Sequence, residues 1–220
     1  KHRLLTEYKK GVMQQIFSQQ IRFKDDEGNE YPEWGERALG EITVRKTAKN
    51  NDERINQVLT NSATQGIVSQ TDYFDKDIAN QNNLGGYYIV DTNDFVYNPR
   101  ISNAAPVGPI KRNHLGKGVM SPLYTVFSFT KGNIDFFERY FETVYWHSYM
   151  NSIANFGARH DRMNITGADF KGMPLPWPCL EEQQKIADFL TAIDNKIDQA
   201  WSKLEQTKAF KQGVLQKMFV

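Results

Sequence analysis

The chain has 220 residues, with 27 Lys and Arg against 26 Asp and Glu, a net charge of +1 and one cysteine, Cys179. The lone thiol excludes an internal disulfide framework, fits a reducing cytoplasm and, without a Cys or His cluster beside it, argues against a metal site. No apolar run is long enough for a membrane span, and the charged first residues do not read as a signal peptide.

Residues 1–21 read as a helix, with Leu4, Leu5, Tyr8, Val12, Met13, Ile16 and Phe17 recurring at threes and fours. The stretch Lys24-Asp25-Asp26-Glu27-Gly28-Asn29-Glu30 is an acidic link, after which Tyr31-Pro32-Glu33-Trp34 opens a globular part that Trp34 and Leu39 anchor. Val58-Leu59-Thr60, Gly66-Ile67-Val68, Tyr87-Tyr88-Ile89-Val90 and Phe95-Val96-Tyr97 are strand-like, with Asp91-Thr92-Asn93-Asp94 as a turn between the last two. Asp72-Tyr73-Phe74 begins a short helix. Residues 101–117 read as one long irregular loop, of the length that is usually functional, and 123–130 as a strand. Ile134 to Phe156 reads as one helix with Phe137, Phe141, Val144, Tyr145, Tyr149, Ile153 and Phe156 on one face. Residues 165–167 and 173–175 are extended. Pro174, Pro176 and Pro178 then keep the chain out of helix until Glu181. From there Ile186, Leu190, Ile193, Ile197, Trp201, Leu204, Val214 and Met218 form the seam of a helix of coiled-coil type, about 58 Å long at about 1.5 Å per residue. The fold class is α+β: a globular domain with mixed or antiparallel strands and a core helix over 23–177, between a helix tail at 1–22 and a long helix at 178–220.

The charge is segregated. Asp25 to Glu41 is acidic, whereas Asn98 to Met120 carries no acid, and such segregation can build a basic face on a near-neutral chain. Reading DNA takes Lys and Arg for phosphate and guanine, and Asn and Gln for adenine. Three loop groups offer them: Lys46, Lys49, Asn50, Asn51 and Arg54, with Thr64 and Gln65 at a turn; Arg100, Ser102, Asn103, Lys111, Arg112, Asn113 and Lys117; and Arg159, His160 and Arg162. Catalytic patterns are weak by comparison. Asn98-Pro99-Arg100-Ile101 departs from the Asn/Asp-Pro-Pro-aromatic motif of amino-methyltransferases, Gly116-Lys117-Gly118 is a lone GxG, and Glu7-Tyr8-Lys9 lacks the upstream acid of a metal-dependent nuclease.

Gly11-Val12-Met13-Gln14-Gln15-Ile16-Phe17 recurs as Gly213-Val214-Leu215-Gln216-Lys217-Met218-Phe219, so the chain reads as one unit of a tandem array and as a fragment of a longer protein. The run Pro178-Cys179-Leu180-Glu181-Glu182-Gln183-Gln184-Lys185-Ile186-Ala187, with Ile193-Asp194-Asn195-Lys196-Ile197 and the Gly213–Phe219 repeat, resembles the conserved helix region of type I restriction-modification specificity subunits. Asp94 to Asn98 and the span from Gly157 to Phe170 fit the looser pattern of their target-recognition domains. The resemblance implies a non-catalytic subunit that reads one half of a bipartite site in double-stranded DNA. It also implies that the long helices pair antiparallel with the other half of the subunit, or with a second copy. The partners it implies are methyltransferase subunits and a motor-nuclease subunit, with S-adenosylmethionine, Mg and ATP bound there and no cofactor in this chain. The alternative is an assembly scaffold of coiled-coil type that does not bind DNA.

Overall fold

The elements run α1 (His2–Phe17), β1 (Gly35–Ala38), α2 (Leu39–Ile42), β2 (Thr43–Lys46), β3 (Leu59–Ser62), β4 (Gly66–Ser69), β5 (Tyr88–Val90), β6 (Phe95–Tyr97), β7 (Ile110–Arg112), β8 (Gly118–Met120), β9 (Thr125–Phe129), α3 (Ile134–Phe141), α4 (His147–Ile153), α5 (Gly167–Lys171), β10 (Pro174–Trp177) and α6 (Leu180–Met218). The structure, a computed structural model, describes residues 1–70, 84–155 and 161–218, with side chains as far as 216. The expected helix start at Asp72 and the residues Phe156, Arg159 and His160 lie outside the described residues. The chain divides into two compact units, Lys1–Glu33 with Cys179–Val220, and Trp34–Pro178.

The first unit is an antiparallel helix pair. Partners rise along α6 as they fall along α1 and the segment after it: Phe23, beyond the end of α1, meets Phe189 at 5.3 Å between rings, Lys9 Nζ lies 2.8 Å from Asp194 Oδ1, and His2 meets Trp201 at 5.1 Å. Val12, Met13, Ile16 and Phe17 are buried on α1, and Ile186, Leu190 and Ile193 on α6. Farther along the expected seam, Ile197 is half-buried, whereas Trp201, Leu204 and Val214 are exposed; the side chain of Met218 lies outside the described residues. Residues 23–33 belong to this unit, not to the globular part as expected from composition. Arg22 explains why: its guanidinium grips the Glu182 carboxylate through Nε (2.9 Å) and Nη2 (3.0 Å), and Nη2 also donates to the Pro32 carbonyl at 2.8 Å. Lys185 adds an ion pair to Asp26 at 2.8 Å.

The second unit is built on a four-stranded antiparallel sheet ordered β2-β9-β6-β7. Its registers align Arg45, Phe127, Phe95 and Arg112 in one row, so alternation puts Thr125 and Tyr97 on that same face. That face is aromatic: Phe129 stacks on Phe137 of α3 at 4.4 Å and Tyr97 on Phe170 of α5 at 5.1 Å. The other face presents Val96 and Val126, which pack with Leu59, Ile67, Val90 and Met120 from the small sheets β3-β4 and β5-β8.

The expected turn at 91–94 joins strands of different sheets, because β5 pairs with β8 and β6 with β7 and β9. Two expectations change. The expected long loop contains β7 and β8. The expected helix 134–156 breaks after Phe141, where Thr143 Oγ1 donates to the Tyr140 carbonyl at 2.6 Å and the Trp146 indole donates to the Thr143 carbonyl at 3.0 Å. These local bonds compete with the helical ladder, and they leave Val144 and Tyr145 exposed.

Candidate nucleic-acid interface

At one end of the main sheet, the turn after β3, the loop after β6 and the loop before β9 surround a cleft of about 790 Å³. The turn forms because Gly66 supplies a φ of 75° and Ser62 Oγ accepts from the backbone N–H groups of Thr64 (3.4 Å) and Gln65 (3.3 Å). Thr64 and Gln65 are thereby exposed at its tip. The loop after β6 is anchored by Asn98, whose Nδ2 donates to the Asn61 carbonyl at 3.0 Å and whose Oδ1 accepts from Arg100 N at 3.0 Å. Segment 161–163 runs antiparallel to this loop: Ile101 N donates to the Asp161 carbonyl and Met163 N to the Pro99 carbonyl, both at 3.0 Å. That pairing sets Arg100 opposite Arg162.

The structure therefore brings Thr64, Arg100, Ser102, Asn103 and Arg162, drawn from three separate stretches of sequence, into one cleft. No acidic side chain lines it among the described residues. Arg100 forms no ion pair with a described residue, while Arg162 has only the adjacent Asp161, at 3.6 Å. The hydroxyl pair Thr60–Tyr124 at 3.0 Å, Leu123 at 59% exposure and the small apolar residues Ala63, Pro99, Ala104 and Pro109 complete the wall.

Other expected readers stand elsewhere. Gln65, Lys111 and Arg112 line a smaller cavity of about 360 Å³ together with Glu138 and Glu142. Arg112 is a correction: its guanidinium is 9% exposed and bound to Asp135, to Glu138 at 3.1 Å and to Asn93, so it holds α3 to β7 and is not available to phosphate. Asn113 is a second correction. It is fully buried, with Nδ2 on the carbonyls of Asp91 (3.0 Å) and Gly116 (2.7 Å) and Oδ1 accepting from Leu115 N. Asn50 is a third, likewise buried and closing its own loop through both backbone groups of Ile55. Lys46 and Lys117 flank one carboxylate, Asp91, at 3.3 and 3.2 Å. Burial opposes the ionisation of Asp91, yet the hydrogen bonds from Lys117 and Lys46 outweigh it and hold its pKa below the usual carboxylate value. Arg54 pairs with Asp52 at 3.0 Å, and Lys49 and Asn51 are exposed beside it.

Sequence reasoning missed Asn61, Gln70, Asn98, Leu123 and Tyr124 as cleft residues. Asn61 lies inside β3 and Gln70 directly after β4, among apolar neighbours that read as packing.

An α+β unit whose loops carry arginines into a cleft with no acidic side chain among its described lining residues, accompanied by an antiparallel helix pair, is the class that the fold and the cleft define. The family follows from sequence: residues 31–207 match the model of the type I restriction modification DNA specificity domain, and the chain belongs to that family. No curated protein sequence matches it. Among solved structures, the chain is similar in fold to a protein from a study of complex assembly and conformational transition in the type I R-M system. That match has a TM-score of 0.53 and 16% identity, covering 94% of this chain and 50% of that one. It is also similar to the type I restriction-modification S subunit of M. genitalium, with a TM-score of 0.54 and 14% identity, covering 95% of this chain and 52% of that one. The chain thus spans about half the length of these relatives. Among the described residues, no helix is long and apolar enough to cross a membrane.

Proposed function

We infer that this chain is a sequence-reading portion of a type I specificity subunit, that it is non-catalytic, and that its cleft between the 62–66 turn and the 98–109 loop faces duplex DNA. The observation that carries this reading is a cleft with no acidic side chain among its described lining residues, in a chain of the specificity-domain family, with Arg100 and Arg162 opposed across paired backbone. Guanidinium groups there would neutralise phosphates or take guanine edges, and the hydroxyl and carboxamide groups around them would test the other bases. The helix pair would act as spacer and scaffold. The exposed apolar residues Trp201, Leu204, Phe210, Val214 and Leu215 favour a further helix against its far end, from the other half of the subunit or from a second copy. Methyltransferase subunits would dock on that scaffold and bring S-adenosylmethionine. A motor-nuclease subunit would join with Mg and ATP, all in the cytoplasm.

The test is salt-dependent binding of duplex DNA by the complete subunit assembled with its methyltransferase. Arg100→Ala and Arg162→Ala should each weaken binding and lower the slope of log K against log salt by roughly 1. Arg112→Ala should leave the slope unchanged and lower stability instead. Wild-type slopes for both cleft variants would remove this cleft from the interface.

A further inference from the structure

The row of the main sheet that crosses Phe127 and Phe95 has an arginine at each edge, Arg45 on β2 and Arg112 on β7. Arg112 is bound to Asp135 and Glu138, whereas Arg45 is exposed and forms no ion pair with a described residue. Its guanidinium reaches over the sheet face toward α5: a Cβ built on Gly167 would lie 3.6 Å from Arg45 Nη1. There it lines a pocket of about 90 Å³ together with Lys171 of α5. Lys171 is also exposed and without an ion pair to a described residue. Its stem is held against α2, where a Cβ on Gly40 would lie 2.9 Å from Lys171 Cβ.

The other polar groups of the pocket are mostly committed. The Thr43, Tyr97 and Thr166 hydroxyls donate to the Leu39 carbonyl (2.7 Å), the Val107 carbonyl (3.0 Å) and the Asp169 carboxylate (2.5 Å). Two cations and the Thr125 hydroxyl are left, and no acidic side chain is among the described lining residues. Such a cluster of donors, two of them charged, suits an anion with several acceptor oxygens. The pocket also adjoins the cleft described above along three stretches of chain. Tyr97 lines the pocket and Asn98 the cleft, Thr125 the pocket and Tyr124 the cleft, and Ile165 of the pocket follows Arg162 of the cleft by three residues.

Resting on the reading of that cleft as the DNA interface, we propose that this pocket holds a backbone phosphate of the same duplex, with Arg45 and Lys171 as its phosphate-binding residues. Neighbouring residues stand about 3.8 Å apart and B-DNA carries one phosphate per about 1.7 Å of axis, so a duplex lying on the cleft brings phosphates to the pocket's mouth. A contact of this kind fixes the register and orientation of the protein on DNA and carries no sequence information.

The experiment measures duplex binding against salt with the complete subunit assembled with its methyltransferase, for wild type, Arg45→Gln, Lys171→Gln and the double variant. Each single substitution should lower the slope of log K against log salt by roughly 1, and the double variant by roughly 2. The methylated motif should stay as in the wild type, because a phosphate contact is lost equally on every sequence. Thermal unfolding should not move. Wild-type slopes in all three variants overturn the proposal, and with a lowered melting temperature they make Arg45 and Lys171 packing residues instead. A relaxed motif also overturns it, because it makes them base readers. Calorimetry with inorganic phosphate separates the two sources of this anion: saturable binding that both single substitutions abolish, with DNA slopes unchanged, assigns the pocket to free phosphate and overturns the proposal. If Arg100→Ala and Arg162→Ala lower the slope while the Arg45 and Lys171 variants do not, only this inference fails. If all four are silent, the reading of the cleft fails with it.

Discussion

Gly108→Ala should destabilise the globular unit by about 3–5 kcal/mol, enough to threaten folding in a domain whose whole stability is on the order of 5–15 kcal/mol. Two separate costs add. Gly108 has a φ of 78°, which costs an L side chain roughly 1–2 kcal/mol. A Cβ at this position would also lie 2.1 Å from the carbonyl oxygen of Asn98 and 3.1 Å from the Tyr97 ring. The carbonyl cannot retreat cheaply, because Asn98 N donates to the Pro109 carbonyl at 3.0 Å and the Asn98 side chain anchors the cleft loop. Gly116 is the control: its φ is 97°, but nothing lies within 4 Å of its added Cβ, so Gly116→Ala carries the backbone cost alone. Thermal unfolding should show Gly108→Ala roughly 10 °C or more below the wild type, with Gly116→Ala only a few degrees below. Equal shifts for the two variants would mean that the Asn98 contact yields.

Arg22→Met should destabilise the helical unit by about 3–5 kcal/mol, because it takes the guanidinium away from the fully buried Glu182. The bidentate grip and the Glu182 hydrogen bond raise the Arg22 pKa still further against the burial that opposes it, so the guanidinium stays charged at every accessible pH. The loss also frees residues 31–33, which Arg22 holds through the Tyr31 and Pro32 carbonyls. The double variant Arg22→Met with Glu182→Met removes both charges and should recover most of the loss, since a buried ion pair and an apolar pair of similar volume come out close in energy. Urea unfolding of the four members of the cycle measures this. A double variant no better than Arg22→Met would show that the carbonyl contacts matter more than the ion pair.

Much of the framework was legible in the sequence. The 39-residue α6 followed from the absence of proline after Pro178 and the spacing of Ile186, Leu190 and Ile193, and the strands at 59–62, 66–69, 95–97 and 125–129 followed from β-branched and aromatic runs. What escaped depended on partners distant in sequence. β7 and β8 are three residues each and extended only because β6 and β5 pair with them. The aromatic run from Phe137 onward reads as one helix until Thr143 and Trp146 bond locally. The cleft followed the same rule. Arg100 and Arg162 were recognisable as bases in loops, but their opposition across the 99–101 and 161–163 backbones was not. Arg112, Asn50 and Asn113 have the residue types of DNA readers and are spent on the fold. A polar side chain's type says what it can bond to; only the tertiary structure says whether that capacity is already used.

The most direct test of the DNA-reading claim is a transplant of residues 34–178 into the equivalent place of a type I specificity subunit with a known bipartite target, followed by methylation mapping of the hybrid complex. The unit carries the whole cleft between Trp34 and Pro178, so one half of the methylated motif should change to a new sequence, while the other half stays as before. A hybrid that assembles and methylates the host's original motif would contradict the account.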